Sequence, residues 1–383
     1  MVLSASTSGA PALPAFATAH SHAFQRAMRG RAQRPGPAGT DDFWSWRRAM
    51  YDLADALTPD TAHAIARVAF RELRAAGVLS VGEFHYVHHQ PGGRPYAERT
   101  AMADAVIAAA KAENMRITLL RAVYHRAGPG RPAEGTQLRF ADPSPDAALA
   151  DVDALRARYG RDPDVRVGLA PHSVRAVPPA WLRELAAYAE AHALPLHMHV
   201  AEQPAEIATC LDETGRRPLE LLADHGLLGP RFVAVHATHL AAHEARLLGE
   251  AGAFACLAPT TERDLGDGLP DVGALRAAGA RLCTGVDSHV LSDPFEDMRG
   301  IELGERLRTL GRVTDRAPGP TPAERLWLAA STEGARAIGF DDAGGRLTVD
   351  RDAPALALVD DEHLLDALVF SAGPAVVRGI ERA

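Results

Sequence analysis

Lysine is almost missing from this 383-residue chain: Lys111, in Ala108-Ala-Ala-Lys-Ala-Glu-Asn114, is the only one. It reads as part of a solvated helix face, so Schiff-base chemistry and lysine-bridged binuclear metal centres lack their residue. Cysteine is nearly as scarce. Cys210, Cys256 and Cys283 are odd in number and stand in unrelated contexts, which excludes a disulfide framework and a Cys-x-x-Cys metal site and points to a reducing compartment. No apolar run approaches ~18 residues, and residues 1–14 lack a basic start and carry Pro11 and Pro14 where the apolar centre of a secretory signal would lie. A soluble cytoplasmic protein with no membrane partner is the expectation. There is no basic tract either: 41 Lys+Arg are interspersed among 49 Asp+Glu for a net charge of −8, which argues against nucleic acid and favours a small-molecule substrate. No G-x-G-x-x-G, Walker A or G-x-S-x-G follows an apolar run, so nucleotide-binding and serine-hydrolase readings lose support.

What the chain does have is an alternation of short apolar runs with segments of helical period. The runs fall at residues 13–19, 78–83, 116–123, 165–171, 194–200, 232–236, 253–258 and 281–286. Helical pattern occupies 61–76, 102–114, 145–159, 181–192, 219–225, 242–251 and 294–310, several of these ending at a glycine such as Gly77, Gly160 or Gly252. Near-continuous apolar strands separated by helices predict a parallel sheet, and eight such units predict an α/β fold of the (β/α)8 TIM type. A doubly wound open sheet is the alternative. Residues 36–40 and 128–135 read as loops on their Gly and Pro content.

Polar residues recur at one end of these runs, where a barrel places its chemistry. His20 and His22 close the first run, His172 follows the fourth, His197 and His199 lie in the fifth, His236 ends the sixth and Asp287 ends the eighth. Residues two apart on a strand point the same way, so His20 and His22 leave the sheet together. Two histidines from one strand, a third from another and one carboxylate make a ligand set for a single divalent ion, with a place left for water, whose pKa zinc lowers to about 7. His199 is preferred to His197 as the third histidine because Glu202 follows it; His197, one step deeper, is expected to pack. Glu202 and His236 remain to handle protons.

The wording around these residues resembles a known group. His20-Ser-His-Ala-Phe-Gln-Arg-Ala-Met28, Glu83-Phe-His-Tyr-Val-His-His89, His172-Ser-Val-Arg-Ala-Val177, His199-Val-Ala-Glu-Gln-Pro-Ala-Glu206, Val235-His-Ala-Thr-His-Leu240, Pro259-Thr-Thr-Glu-Arg-Asp-Leu265 and Asp287-Ser-His-Val290 are similar to the formimidoylglutamate deiminases, mononuclear members of the amidohydrolase superfamily. The resemblance runs from about residue 13 to 340. It implies hydrolysis of N-formimino-L-glutamate to N-formyl-L-glutamate and ammonia, a step of histidine degradation, with one zinc or another divalent ion. It implies His20, His22, His199 and Asp287 as ligands and Glu202, His236 and Asp287 as the catalytic groups. Gln25 is implied near the imino group, and Arg47, Tyr86, His172 and Arg175 at the carboxylates. A guanidinium matches a carboxylate as a planar fork, so two arginines suit a dicarboxylate. His85, His88 and His89 have no flanking acid and read as supporting or surface residues rather than a second metal site. Arg263 and Asp264 read as structural loop contacts, and His239 and His289 have no assigned role.

The chain departs from the family at its ends. It enters its first predicted strand almost at once, where relatives first build strands of a small β-sandwich, and Asp350-Arg-Asp-Ala-Pro354 replaces the usual Gly-Lys-x-Ala-Asp. The expected division is therefore a barrel domain over 1–340 and a reduced C-terminal β segment over 341–383, with strand-like runs at 345–349, 355–359 and 367–370. Strand edges left uncovered there predict either a homodimer through that surface or reduced solubility. Two further readings stand beside the leading one: a deiminase of another formimino or amidine compound, and a non-catalytic barrel that binds a dicarboxylate.

Overall fold

The structure is a computed structural model that describes residues 4–5, 11–33 and 43–383. Strands β1 (Ser4–Ala5), β2 (Pro11–Pro14), β3 (Phe16–Ser21), β4 (Val78–His85) and β5 (Arg116–Val123) come first. A small hairpin follows, β6 (Arg126–Gly128) and β7 (Arg131–Pro132). Then come β8 (Val165–Pro171), β9 (Leu196–Val200), β10 (Phe232–His236), β11 (Phe254–Leu257), β12 (Arg281–Thr284), β13 (Gly345–Val349) and β14 (Val377–Arg382).

Eight of these form one parallel sheet in the order β12-β11-β10-β9-β8-β5-β4-β3, and a parallel bridge between Ser21 and Asp287 joins its two ends. The sheet is thus a closed (β/α)8 barrel. Its strands are buried along almost their whole length because helices cover the outside, which is why they appear in the sequence as continuous apolar runs. On β10, Ala234 packs among the outer helices while Val233 and Val235 join an inner cluster with Phe254, Cys256 and Cys283. Residues Ala335, Ala337, Ile338 and Phe340 complete that inner cluster and fill the barrel one layer below the histidines. Gly82 makes this plug possible, since a Cβ there would stand 2.5 Å from both the Ala19 carbonyl and Ile338.

The predicted helices are present, Pro145–Tyr159 with its expected ends and others with ends moved by one or two residues, such as Pro59–Ala75 and Pro294–Thr309. Each opens on a proline at its first position behind a capping side chain, Thr58, Ser144 or Asp293, that accepts a backbone N–H.

Four expectations are corrected or refined. The first apolar run is divided at Ala15, with β2 in a separate sheet and β3 in the barrel. The segment 128–135 is not simply loop, because Arg126–Gly128 pairs with Arg131–Pro132; residues 36–40 lie outside the described residues. Residues 355–359 and 367–370 are not strands. The former begin in a 3-10 turn, Pro354–Leu356, and the latter lie in the helix Leu364–Ser371, whose apolar face suits a helix as well as a strand. Finally, β13 has no uncovered edge: the second sheet runs β1-β2-β13-β14, so β13 is flanked by β2 and β14. The outer strand β14 carries Arg378 and Arg382, which pair with Asp350 and Asp164, and charged edges of this kind discourage strand pairing between molecules.

Candidate active site

The seam that closes the barrel also aims two histidines at a carboxylate. The His22 N–H donates to the Asp287 carbonyl (2.9 Å), and the Asp287 N–H donates to the His20 carbonyl (3.0 Å). Asp287 Oδ1 then lies 3.2 Å from His20 Nε2 and 3.4 Å from His22 Nε2. His22 Nδ1 is 2.9 Å from the Phe84 carbonyl, and His199 Nδ1 is 2.9 Å from the His172 carbonyl. A carbonyl only accepts, so in both rings Nδ1 carries the hydrogen and Nε2 turns its lone pair inward.

Those two Nε2 atoms face each other at 3.4 Å, and neither nitrogen of the buried His20 has a hydrogen-bond partner. Burial, reinforced by the neighbouring imidazoles, holds His22 down to about 3 and keeps His20 and His199 well below the usual histidine range. Three neutral imidazoles with opposed lone pairs beside a carboxylate are mutually unsatisfied unless a cation sits among them. Ligands about 2.0–2.1 Å from a tetrahedral ion stand roughly 3.3–3.4 Å apart, close to the 3.2, 3.4 and 3.4 Å of the His20–Asp287, His22–Asp287 and His22–His199 pairs. The donor set therefore fits a divalent ion of the zinc type. The compact groups are His20, His22 and Asp287 on one side and His20, His199 and His236 on the other.

His236 faces three acids. Its Nδ1 is 3.3 Å from Glu262 Oε1, and its Nε2 is 3.8 Å from Glu202 Oε1 and 3.9 Å from Asp287 Oδ2. Burial works against a charge on this ring, but Glu202, Glu262 and Asp287 together outweigh it and raise its pKa to about 10. Burial likewise lifts Glu202 above the ordinary carboxylate range. The backbone is strained at the same place: Ala201, His236, Ala237, Asp287 and His289 all have φ between 50° and 67°. Left-handed conformations cost non-glycine residues of order 1–3 kcal/mol each, and here they cluster at strand ends where the side chains converge.

A cavity of about 660 Å³ opens over this cluster and is lined by His22, His199, His236, Asp287 and Glu202 as well as by Gln25, Tyr86, His172, Arg47 and Arg175. All eleven candidates from the sequence thus meet at one site, with His20 buried beneath the cavity. Gln25 donates to the Tyr86 hydroxyl (2.9 Å), which points on to Met50, and Gln25 Oε1 has no partner. Arg47 Nε donates to Tyr51 (2.7 Å), while Arg175 donates to Tyr124 (3.3 Å) and to the Ala127 carbonyl (3.1 Å). His197 bonds the Ala337 carbonyl instead, inside the barrel plug.

Several residues without an assigned role belong here. Glu262 bonds both His236 and the Ala258 N–H. Glu83 accepts from Ser21 Oγ (2.6 Å) and the Ala23 N–H (2.8 Å), and Ser21 in turn touches His289 Nε2 (2.9 Å). The usable signal for Glu262 is an acid just after the seventh strand, the one late strand end with no candidate. His88 and His89 are buried rather than on the surface, bonded to the Ala122 and Ala141 carbonyls.

Residues 12–380 match the amidohydrolase family. The formimidoylglutamate deiminase of Pseudomonas aeruginosa is 38% identical over 381 residues, covering 97% of this chain and 83% of that protein. An 8-oxoguanine deaminase of the same organism is 31% identical, covering 87% and 71%. Among solved structures, an amidohydrolase from Brucella melitensis superposes with a TM-score of 0.86 at 33% identity, over 96% of this chain and 84% of that one. An adenosine deaminase from Xanthomonas campestris with bound zinc shares the fold at 23% identity, with a TM-score of 0.80 over 97% and 79%.

Proposed function

The chain belongs to the amidohydrolase family, and from that premise we propose that it hydrolyses N-formimino-L-glutamate, the compound for which its relative formimidoylglutamate deiminase is named, to N-formyl-L-glutamate and ammonia. The observation that carries this reading is the pairing, in one cavity, of a His/Asp cluster with two arginines, Arg47 and Arg175. The cluster suits attack on a C=N carbon, and the arginines suit the two carboxylates of a glutamate skeleton. Three unpaired, buried cysteines fit a reducing compartment such as the cytoplasm; no helix among the described residues is long and apolar enough to cross a membrane.

Held by His20, His22, His199 and Asp287, a zinc or similar ion would supply Lewis acidity and lower the pKa of water. The protein groups then manage the protons. Glu202, kept protonated by burial, gives its proton to the imino nitrogen as water adds to the formimino carbon, and Asp287 accepts the proton that the water loses. His236, fixed by Glu262 and close to both carboxylates, orients the attacking water. The tetrahedral adduct next returns its hydroxyl proton to Glu202 while Asp287 protonates the amine. The C–N bond breaks, ammonia leaves and both acids recover their starting states. Gln25 faces the amidine, and Tyr86 and His172 border the glutamate backbone.

Ammonia release from formimino-glutamate by metal-replete protein tests the reading. Steady turnover is the expected result. Release only from other amidines would move the assignment to another substrate, and ligand binding without release would identify a non-catalytic barrel.

A further inference from the structure

The two arginines are held by one amide. Arg47 Nε donates to the Tyr51 hydroxyl and Arg175 Nη1 to the Tyr124 hydroxyl, and Gln137 Nε2 donates to both phenols, at 3.2 and 3.1 Å. Gln137 Oε1 accepts from the Glu134 N–H (3.3 Å), so the amide has no freedom to turn over. The result is a continuous path, Arg47–Tyr51–Gln137–Tyr124–Arg175, that crosses from the helix Phe43–Ala56 through the loop after β5 to the loop after β8. Gln137 itself is buried.

The path is stiff. Phe140 packs its ring 5.9 Å from Tyr51 and 5.8 Å from Tyr124, which fixes both phenols in direction. Arg139, buried two residues from Gln137, donates to the carbonyls of Ala54 and Leu57 and so pins this loop to the helix that bears Arg47 and Tyr51. Each phenol oxygen accepts two hydrogen bonds, one from Gln137 and one from an arginine. Both lone pairs are then in use, and the remaining O–H has to donate elsewhere. Tyr51 and Tyr124 both line the cavity, and burial holds the Tyr51 phenol above its ordinary pKa, so it keeps its hydrogen.

We infer that Gln137 is the positioning residue for a dicarboxylate: by committing both amide hydrogens to Tyr51 and Tyr124 it fixes the separation of Arg47 and Arg175 and turns the two phenol hydrogens toward the substrate's carboxylates. The inference rests on reading the cavity as a formimino-glutamate site. It makes chain length, and not just negative charge, the quantity the pocket measures.

The test compares the unaltered, metal-replete protein with Gln137→Met, which keeps volume and removes the donors, and with the Tyr51→Phe/Tyr124→Phe double variant. Ammonia release is measured with formimino-glutamate, formimino-aspartate and formimino-glycine, and melting temperature is followed in parallel. Expected is a rise of about tenfold in KM for formimino-glutamate with kcat within about twofold, and a narrower gap between formimino-glutamate and formimino-aspartate. Combining Gln137→Met with the double Tyr→Phe change is expected to add little, because all act through one path. Equal KM changes on all three substrates, a loss confined to kcat with a lowered melting temperature, full additivity or no change would each overturn the inference. No turnover of any formimino compound by the unaltered protein would overturn the functional reading and this inference together, whereas turnover with an indifferent Gln137→Met overturns this inference alone.

Discussion

In the proposed reaction, Glu202 is the residue at which proton transfer separates from metal binding. It lies beside the His/Asp cluster without being one of the four proposed donors, so Glu202→Gln should keep the metal yet lose on the order of 100-fold or more in turnover. An unchanged rate with full metal content would move the proton to another group. Arg47 and Arg175, the proposed carboxylate anchors, line the same cavity. Removing either as Arg→Met leaves a carboxylate without its partner and should cost roughly 2–4 kcal/mol, seen mainly in kcat/KM. Formimino-glycine, with one carboxylate, should be insensitive to one of the two changes; equal sensitivity to both would reject separate anchors. At this scale the sequence was legible where chemistry is local. His-x-His and His-x-x-Glu place their partners by chain spacing alone, and ten of the eleven candidates line the cavity, with His20 buried beneath it. Glu262 carried only the weak signal of an acid after the seventh strand, and Gln137, Tyr51 and Tyr124 carried none, because the path they form depends on contacts such as Tyr51–Gln137 and Tyr124–Arg175, 86 and 51 residues apart in the chain.

The barrel seam links element packing to the site. Gly285 follows β12, and a Cβ there would stand 2.8 Å from His20 Cβ. Gly285→Ala should therefore push His20 off its place and lower metal occupancy from the expected value of about one ion per chain, measurable by elemental analysis after dialysis. A fully loaded Gly285→Ala protein would mean that β12 yields instead. Glu83, at the end of β4, gives the element a pH dependence. Burial raises its pKa to about 8, so between the unfolded value near 4.5 and about 8 the folded protein binds a proton that the unfolded chain does not. Stability falls as pH rises through that window, by up to about 1.4 kcal/mol per unit. Glu83→Gln should flatten the fall in melting temperature relative to the parent, and parallel curves would show that Glu83 does not set it. Strands and helices were readable because period and burial agree along the barrel. The C-terminal runs misled because a short, largely apolar segment such as Leu364–Ser371 satisfies either period, and the neighbour that decides, the helix Pro322–Ala329, lies far away in the chain.

The molecule as a whole is negative, at −8, and its proposed substrate is a dianion, so long-range charge and local charge compete. The global term repels. The cavity, however, is lined by Arg47, Arg48, Arg131 and Arg175, of which Arg48 and Arg131 are exposed, and a positive rim focuses the field where a substrate must enter. Distance decides between the two. At ~0.01 M salt the screening length is about 30 Å and much of the protein's surface contributes, whereas at ~0.1 M it is about 10 Å and only the rim is felt. The acids Glu134, Glu202, Glu206 and Asp287 also line the cavity, but burial keeps Glu202 and Glu206 toward their neutral forms, Glu206 at about 7, so the balance near the mouth is positive. We therefore expect kcat/KM for formimino-glutamate to fall several-fold as salt rises from ~0.1 M to ~1 M, the range in which only the rim is felt and is then itself screened, with a weaker fall for formimino-glycine. Arg48→Gln and Arg131→Gln should each reduce the slope and leave kcat at saturating substrate nearly unchanged, because neither exposed guanidinium is needed once the substrate is seated. A kcat/KM that rises with salt would show that the net negative charge governs approach, and the arginine rim would then have no part in capture.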